Sequence, residues 1–304
     1  MQDRLERVVL AYDVGGSHVS AAVCHEEELR LERVVSAPHP ADETSAAFVE
    51  LVVSLGAQAA SAFRHVGGAA LAMPGPFNYT DGIGEATHKL PYLLGVDLRH
   101  ALAPRFGWDP CQIRFLNDAA AFLLGEIGAG AARGAARSAG VTLGTGIGAS
   151  FAVDGNVVKS GSGVPPGGEI WNLPYDGGIV EDMLSSKRIQ AAYRQRTGST
   201  RTVAWIAEAA SGDAAAAAVF TDYGRHLGRA LKLTLAPFRP DVVVLGGSIA
   251  RSAQLFLPAA ESELDGLGFR IAISALFDRA PLVGAGAAWF RAGATAARTE
   301  PAAS

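Results

Sequence analysis

Two short glycine-rich segments carry the residue types and the spacing of a phosphate-binding site. Each combines an apolar strand, a tight turn rich in glycine and a second apolar strand: residues 7–23 (RVVLAYDVGGSHVSAAV) and residues 140–153 (GVTLGTGIGASFAV). Glycine has no Cβ atom, so the backbone N–H groups of such a turn can approach an oxyanion closely. Two such hairpins predict a site that holds a chain of phosphates from opposite sides.

A carboxylate that can act as a base lies between the two hairpins in sequence. The segment QIRFLND, residues 112–118, places Asn117 and Asp118 at the end of an apolar strand, just before an alanine-rich helix. Open α/β sheets bind ligands at that edge. Asp118 is equally suited to cap the helix. Beside phosphate-binding hairpins, an aspartate can also accept the proton of a hydroxyl group that attacks a terminal phosphoryl group.

A third glycine pair follows an apolar strand late in the chain. Residues 241–248 read DVVVLGGS. Alone, this pattern is typical of an ordinary strand-to-helix turn in a parallel sheet. Together with two phosphate hairpins, it indicates a turn that passes under a nucleotide base or ribose.

The elements that must position these groups predict two α/β lobes. A chain of 304 residues exceeds the size at which one hydrophobic core usually stops growing. Because the strand and helix pattern restarts at the second hairpin, the second lobe is expected to be a diverged copy of the first. We predict a small N-terminal lobe over 1–118, with a helix over 287–300 as a candidate addition, and a large lobe over 119–286 that carries a dimer surface.

Composition excludes several classes of protein. The chain has 49% hydrophobic and 18% charged residues and a formal net charge of -4, so no basic excess attracts nucleic acid. Its two cysteines, Cys24 and Cys111, are too few for a disulfide framework or a zinc cluster. No run approaches the roughly 20 apolar residues that cross a bilayer. We therefore expect a cytoplasmic protein without a nucleic-acid or membrane partner.

Six motifs resemble those of the ROK family, a group within the actin, hexokinase and Hsp70-like superfamily. The resemblance extends from about Val8 to about Trp289 and implies two ribonuclease H-like lobes with a ligand cleft between them. It also implies transfer of the ATP γ-phosphate to a sugar hydroxyl. The motifs are DVGGS at 13–17, PGP at 74–76, NDA at 117–119 followed by GE at 125–126, GTGIG at 144–148, GGEI at 167–170 and GG at 246–247.

The resemblance also implies a role for each matching residue. Asp13 would hold Mg²⁺ through water, and Asp118 would be the catalytic base. Gly75 would let the PGP loop approach the sugar. The expected nucleotide-binding residues are Gly15, Gly16, Ser17, Gly144, Thr145, Gly146, Gly246 and Gly247. The residues expected to hydrogen-bond sugar hydroxyls are Asn117, Glu169 and Glu181, besides Asp118 itself.

The sequence departs from the family pattern after Glu169. Many members continue with glycine, histidine and a cysteine cluster that bind structural zinc, whereas this chain continues with Trp171 and Asn172 and has no cysteine there. We expect no zinc site, and we expect Trp171 to be a core residue. Lys89 is most simply a solvated loop lysine, and its alternative role is a contact to the sugar or to a phosphate.

The resulting prediction is an ATP- and Mg²⁺-dependent hexose or amino-hexose kinase, which forms a homodimer by the usual preference for twofold symmetry. The 6-hydroxyl is favoured by the resemblance alone. One alternative is a polyphosphate-dependent glucokinase, for which only residues 133–137 and 187–188 offer basic clusters. Another is a sugar sensor without catalysis. A repressor is not expected, because it would need an added basic DNA-binding segment, whereas the first strand is expected within about ten residues of Met1.

Overall fold

Two five-stranded sheets organise the chain. The computed structural model describes residues 7–40, 43–87 and 89–299. It divides into two units, one formed by Met1–Ala129 with Asp278–Ser304 and the other by Gly130–Phe277. Each unit contains one of the sheets, which confirms the prediction of a mixed α/β fold.

The first unit begins with an antiparallel hairpin and continues through crossover helices. Its strands are β1 (Val8–Val14), β2 (His18–His25), β3 (Leu31–Pro38), β4 (Ala69–Met73), β5 (Phe77–Asn78), β6 (Ile83–Gly84) and β7 (Ile113–Asn117). Its helices up to Ala129 are α1 (Ser45–Ala59), α2 (Leu98–Phe106) and α3 (Asp118–Ala129), with 3₁₀ turns at Pro91–Leu93 and Pro110–Gln112. The main sheet has the order β3-β2-β1-β4-β7, and β5 pairs with β6.

The second unit repeats this arrangement. Its strands are β8 (Arg137–Leu143), β9 (Ile147–Val153), β10 (Asn156–Val158), β11 (Pro174–Tyr175), β12 (Gly178–Ile179), β13 (Val242–Gly246) and β14 (Arg270–Ile273). Its helices are α4 (Val180–Leu184), α5 (Ser186–Thr197), α6 (Val203–Ala209), α7 (Ala214–Leu235) and α8 (Leu257–Glu263). Its 3₁₀ turns are Pro166–Gly168, Ala236–Phe238 and Ile249–Leu255, with Phe277–Arg279 at the unit boundary.

The two sheets share one topology. The main sheet of the second unit has the order β10-β9-β8-β13-β14, so each sheet consists of an antiparallel three-stranded meander followed by two parallel strands. Each also has its own hydrophobic core, with Tyr12 and Phe48 fully buried in the first and Phe151 and Phe220 in the second. The second half thus repeats the topology of the first, which agrees with the restart of the strand and helix pattern at the second hairpin.

The last helix, α9 (Ala280–Thr299), returns to the first unit and packs against α3. The two helices approach closely through glycines, because a Cβ at Gly125 would collide with the Ala280 carbonyl and a Cβ at Gly284 would collide with the Ala121 carbonyl. This packing keeps α3 in the first unit, so the boundary follows Ala129 and does not follow residue 118. Residue 300 of the predicted helix 287–300 lies outside the described residues.

Local signals account for most element ends, with one exception. Thr44 caps α1 by accepting the Ala47 N–H at 3.2 Å. The exception is the break between α4 and α5, where Ser185 is extended (φ -81°, ψ 162°) and separates the two helices. The buried Tyr223 hydroxyl donates to the Leu184 carbonyl at 3.0 Å, which satisfies a carbonyl group at that break.

Within the residues that the structure describes, no individual helix has both the length and the apolar character needed to span a bilayer. Val203–Ala209 and Ala214–Phe238 meet that criterion only as a pair, and they are bent by 113° from one another.

Candidate active site

Three parallel strands of the first unit end at one edge of its sheet. β4 lies between β1 and β7, so that Asp13 pairs in register with Ala72, and Met73 pairs with Asn117. Neighbouring strands lie about 4.8 Å apart. The polar residues at the ends of β1 and β7 therefore share the edge at which open α/β sheets bind ligands.

Asp118, the first residue of α3, is the side chain best placed on this edge to act as a base. Its Oδ1 accepts hydrogen bonds from the Ala119 N–H at 2.8 Å and from Asn117 Nδ2 at 3.0 Å. Burial raises the pKa of this carboxyl above its ordinary value, and the positive charge of Lys89 opposes the shift. Among the described residues, no other residue donates a hydrogen bond to Oδ2. Asp118 can therefore bind the start of α3 with one oxygen and accept a proton with the other.

Asn117 holds Asp118 through a network that the sequence did not indicate. Its Nδ2 donates to Tyr79 Oη at 3.1 Å as well as to Asp118, and its Oδ1 accepts the Ala120 N–H at 3.1 Å. A Cβ at Gly75 would lie 3.3 Å from Tyr79 Oη, so Gly75 borders the same group. Both amide hydrogens of Asn117 are engaged. Oδ1 accepts one N–H, so its second lone pair remains for the predicted sugar contact. That contact stays a prediction.

Two further carboxylates of the same unit act on Asp13 through their charges. Burial is the main cause that raises the pKa of Asp13 to about 7, and the negative charges of Asp118 and Asp278 contribute to the increase. Asp278 was not predicted, since it lies far along the chain, just before α9. A concentration of carboxylates in a poorly solvated site favours either a bound proton or a bound cation.

This group suits a hydrated magnesium ion. Mg²⁺ prefers oxygen ligands, keeps several of its waters and is usually shared with substrate phosphates. Across the described ranges, no three His, Cys, Asp or Glu side chains are grouped so that they could hold a metal ion. A single buried carboxylate such as Asp13 suits an ion that keeps most of its waters and is shared with substrate phosphates.

The turn between β1 and β2 presents free hydrogen-bond donors. The Gly15 N–H closes the turn by donating to the His18 carbonyl at 3.0 Å. In the part of the chain that the structure describes, the N–H groups of Gly16 and Ser17 donate to no acceptor. A Cβ at Gly16 would meet no atom within 4 Å. Two backbone donors therefore have no acceptor within the described part of the chain, and no atom crowds the turn at Gly16, as a phosphate-binding turn requires.

The turn between β8 and β9, residues 144–146, has the same character in the second unit. The N–H groups of Thr145 and Gly146 find no acceptor among the described residues. Glu181 Oε2 accepts the Ile147 N–H at 2.9 Å, and a Cβ at Gly146 would lie 2.5 Å from that oxygen. A larger residue at 146 would therefore have to displace the Glu181 carboxylate. Its predicted contact with a sugar hydroxyl stays a prediction.

The late glycine pair adjoins this second turn. Gly246 ends β13 and pairs in register with Thr142 of β8. Gly247 has a left-handed φ of +82°, and a Cβ there would collide with the backbone of Leu143, the residue before Gly144. Only glycine satisfies both conditions. The second unit therefore brings together the turn at 144–146, Glu181 and the pair at 246–247.

Trp171 was expected in the core, and this prediction is wrong. Its side chain is 39% exposed, and its indole N–H donates to Glu169 Oε2 at 2.7 Å. Glu169 has extended backbone angles, and Ile170 beside it is fully buried. Because side chains alternate along an extended segment, Glu169 and Trp171 share the solvent-facing side.

Known proteins match both the sequence and the fold. The model of the ROK family matches residues 9–290. A glucokinase of Thermotoga maritima is 29% identical over 217 residues, which are 63% of this chain and 67% of that protein. The chain spans between 45% and 67% of the length of the first curated relatives that it matches.

Two solved structures share the fold, which is of the actin and hexokinase type. A ROK hexokinase from Thermus thermophilus superposes with a TM-score of 0.79 at 24% identity, covering 95% of this chain and 99% of that one. A ROK glucokinase from Streptomyces griseus, solved with glucose and AMPPNP, gives a TM-score of 0.75 at 22% identity, covering 92% and 98%. Since the family match extends over nearly the whole sequence, the chain belongs to the ROK family.

Proposed function

We propose that this protein is an ATP- and Mg²⁺-dependent kinase that phosphorylates a hydroxyl group, the 6-hydroxyl by family resemblance, of a hexose or an amino-hexose. The observation that carries the proposal is the environment of Asp118. Its carboxyl has one oxygen held by the start of α3, a raised pKa, and a position on the same sheet edge as Asp13 and the turn at 15–17.

In the proposed reaction, the hydroxyl oxygen of the sugar forms a bond to the γ-phosphorus of ATP. The bond from that phosphorus to the β,γ-bridging oxygen breaks, ADP leaves, and the hydroxyl proton passes to the Asp118 carboxylate. Asn117 keeps that carboxylate oriented through its 3.0 Å hydrogen bond. The partial burial that raises the pKa of Asp118 also makes it a better proton acceptor than an ordinary aspartate.

The phosphate contacts are assigned to unpaired backbone donors. In the first unit these are the N–H groups of Gly16 and Ser17, and Asp13 would hold the magnesium ion through water. The ion, when bound, neutralises charge on the phosphates during transfer. In the second unit the donors are the N–H groups of Thr145 and Gly146.

The remaining contacts of the second unit divide between adenosine and sugar. We assign Gly246 and Gly247 to the adenosine, because the required glycine at 247 keeps this turn free of side chains. We assign Glu169 and Glu181 to sugar hydroxyls. Each of them has one carboxylate oxygen engaged by a protein N–H, at 2.7 Å and 2.9 Å respectively, which leaves the other oxygen for a ligand.

The proposal is tested by measuring ADP release from Mg·ATP in the presence of glucose, mannose, fructose, allose, glucosamine, N-acetylglucosamine, N-acetylmannosamine and kanosamine. Sugar-dependent ADP release is expected with at least one of them. If ADP is not released but tripolyphosphate supports phosphorylation, the donor is polyphosphate. If a sugar binds in calorimetry and neither donor supports transfer, the protein is a sensor and the kinase proposal is wrong.

Replacing Lys89 by methionine is expected to move the acidic limb of the pH profile of kcat/KM upward, by about half a pH unit. Lys89 lowers the pKa of Asp118, so its removal makes the base protonate at a higher pH, and activity is lost earlier as the pH falls. Lys232→Met, on an exposed position of α7, is the matched control. An unchanged acidic limb in the Lys89 variant would contradict a role for its charge at Asp118.

Replacing Trp171 by phenylalanine is expected to raise KM for the sugar by about fivefold, with a smaller change in kcat. Phenylalanine keeps an aromatic ring but cannot donate to Glu169, so the carboxylate loses the 2.7 Å contact that orients it. Trp205→Phe changes another exposed tryptophan of the same unit and serves as the control. If steady-state kinetics gave equal KM values for the sugar in the Trp171 and Trp205 variants, the assignment of Glu169 to the sugar site would be contradicted.

A further inference from the structure

A basic cavity in the second unit includes none of the residues assigned above to nucleotide or sugar. Its volume is about 180 Å³, and α5 and α7 supply most of its lining. Four arginines border it: Arg188, Arg196, Arg225 and Arg229. The whole chain has a formal net charge of -4, so this concentration of positive charge is a local feature.

Helical spacing brings the arginines together. Arg188 and Arg196 are eight residues apart on α5, which places them two turns apart on one face. Arg225 and Arg229 are four residues apart on α7, and Asp222 precedes Arg225 by three. Since α5 packs against α7, the two rows border the same space.

The carboxylates around the cavity do not balance its guanidinium groups. Asp222 is shared by Arg196 at 2.5 Å and Arg225 at 2.7 Å. Arg229 pairs with Glu263 at 3.0 Å. Arg188 has no ion pair with any carboxylate in the described segments. With Asp176, which lies 3.9 Å from His226, three carboxylates act on the four arginines and the histidine of the cavity, and the half-buried Arg188 alone among these arginines is left for an external anion.

Another lining group that can titrate is His226, and the size of the cavity suits a small ligand. Burial is the main cause that lowers the pKa of His226; the largest charge effect, that of Asp176, opposes the shift, while the charges of Arg188 and Arg229 add to it. A neutral His226 adds a hydrogen-bond donor or acceptor. The volume is smaller than the roughly 300–1,000 Å³ of pockets for drug-sized ligands. A compact anion fits better than a nucleotide.

We propose that this cavity binds a compact phosphate-bearing anion, with Arg188 as its principal ligand, at a site separate from the nucleotide and sugar contacts assigned above. Guanidinium groups match the geometry of phosphate oxygens and form charge-assisted hydrogen bonds with them. The phosphate can belong to inorganic phosphate, to a phosphorylated sugar or to the end of a polyphosphate chain. The binding does not depend on the proposed kinase activity.

The test is titration calorimetry of the full chain, without ATP, against inorganic phosphate, glucose 6-phosphate and tripolyphosphate, with glucose as the uncharged control. Arg188→Gln is compared with Arg194→Gln, which removes the same charge from an exposed position of the same helix outside the cavity. Arg188→Gln is expected to weaken binding of the phosphate probes by about tenfold or more, and Arg194→Gln by less than about twofold.

The tightest of the three probes identifies the source of the phosphate. Binding that both variants weaken equally, or that neither weakens, would overturn the proposal, because the anion would then be held by general charge or at the nucleotide turns. The absence of heat with every phosphate probe at millimolar concentration would overturn it as well. Neither result would bear on ADP release, which is measured separately.

Discussion

Asp118→Asn is expected to lower kcat by about 10²–10⁴-fold while KM for the sugar changes only a few-fold. Asparagine retains a side-chain oxygen that can accept the Ala119 N–H, so the start of α3 is preserved. It does not retain a basic oxygen that can take a proton. Steady-state kinetics, together with calorimetric binding of the sugar, separates the loss of the base from a loss of binding.

The matched control for this change is Asp97→Asn. Asp97 caps α2 by accepting the His100 N–H at 3.0 Å, so the same chemical change is made at another helix start of the same unit. We expect its kcat to remain within about twofold of the original, because a helix cap tolerates asparagine as well as aspartate. Equal activities of the Asp118 and Asp97 variants would eliminate Asp118 as the base.

Asp13→Asn is expected to raise the free energy of unfolding and to reduce turnover by at least about 100-fold. In the folded protein the pKa of Asp13 is raised to about 7 from an ordinary value of 3.8. The folded state therefore binds the proton more tightly than the unfolded state, and ionisation of Asp13 destabilises the fold as the pH rises. A neutral amide removes that cost, while it also removes the carboxylate proposed to hold hydrated magnesium.

The gain in the free energy of unfolding that Asp13→Asn gives depends on pH. Below about 3.8 the aspartate is neutral in both states, so the variant gains nothing. The gain grows as the pH rises towards about 7 and is complete above it, where it amounts to a few kcal/mol and raises Tm by roughly 5–10 °C. The measurement is thermal unfolding in EDTA across this range, with the exposed Asp265→Asn as control. A Tm increase that does not vary with pH would contradict this account of Asp13.

The parts of the fold that depend on local sequence could be predicted. Both glycine hairpins, the strand before Asn117 and the repeat of one topology follow from apolar runs separated by glycine turns. The boundary between the units depends on tertiary packing instead. The contact of Gly125 with α9 joins helices that are distant in sequence, and no local pattern marks it.

The same distinction applies to the candidate site. Asp118 was found because it follows an apolar strand and Asp13 because of the family resemblance, whereas Asp278 and Tyr79 reach the site only through the fold. Trp171 was misjudged because large aromatic residues are mostly buried. The alternation of Glu169, the buried Ile170 and Trp171 was the available signal, since it places the tryptophan on the outer side with the glutamate.

The central claim is that the chain transfers the terminal phosphoryl group of ATP to a sugar hydroxyl with Asp118 as base. The most direct measurement is mass spectrometry of the sugar after incubation with Mg·ATP labelled with ¹⁸O in the γ-phosphoryl group, for the original protein and for Asp118→Asn. We predict a labelled sugar phosphate with the original protein and almost none with the variant. Labelled inorganic phosphate without any sugar phosphate, or equal sugar phosphate from both proteins, would contradict the claim.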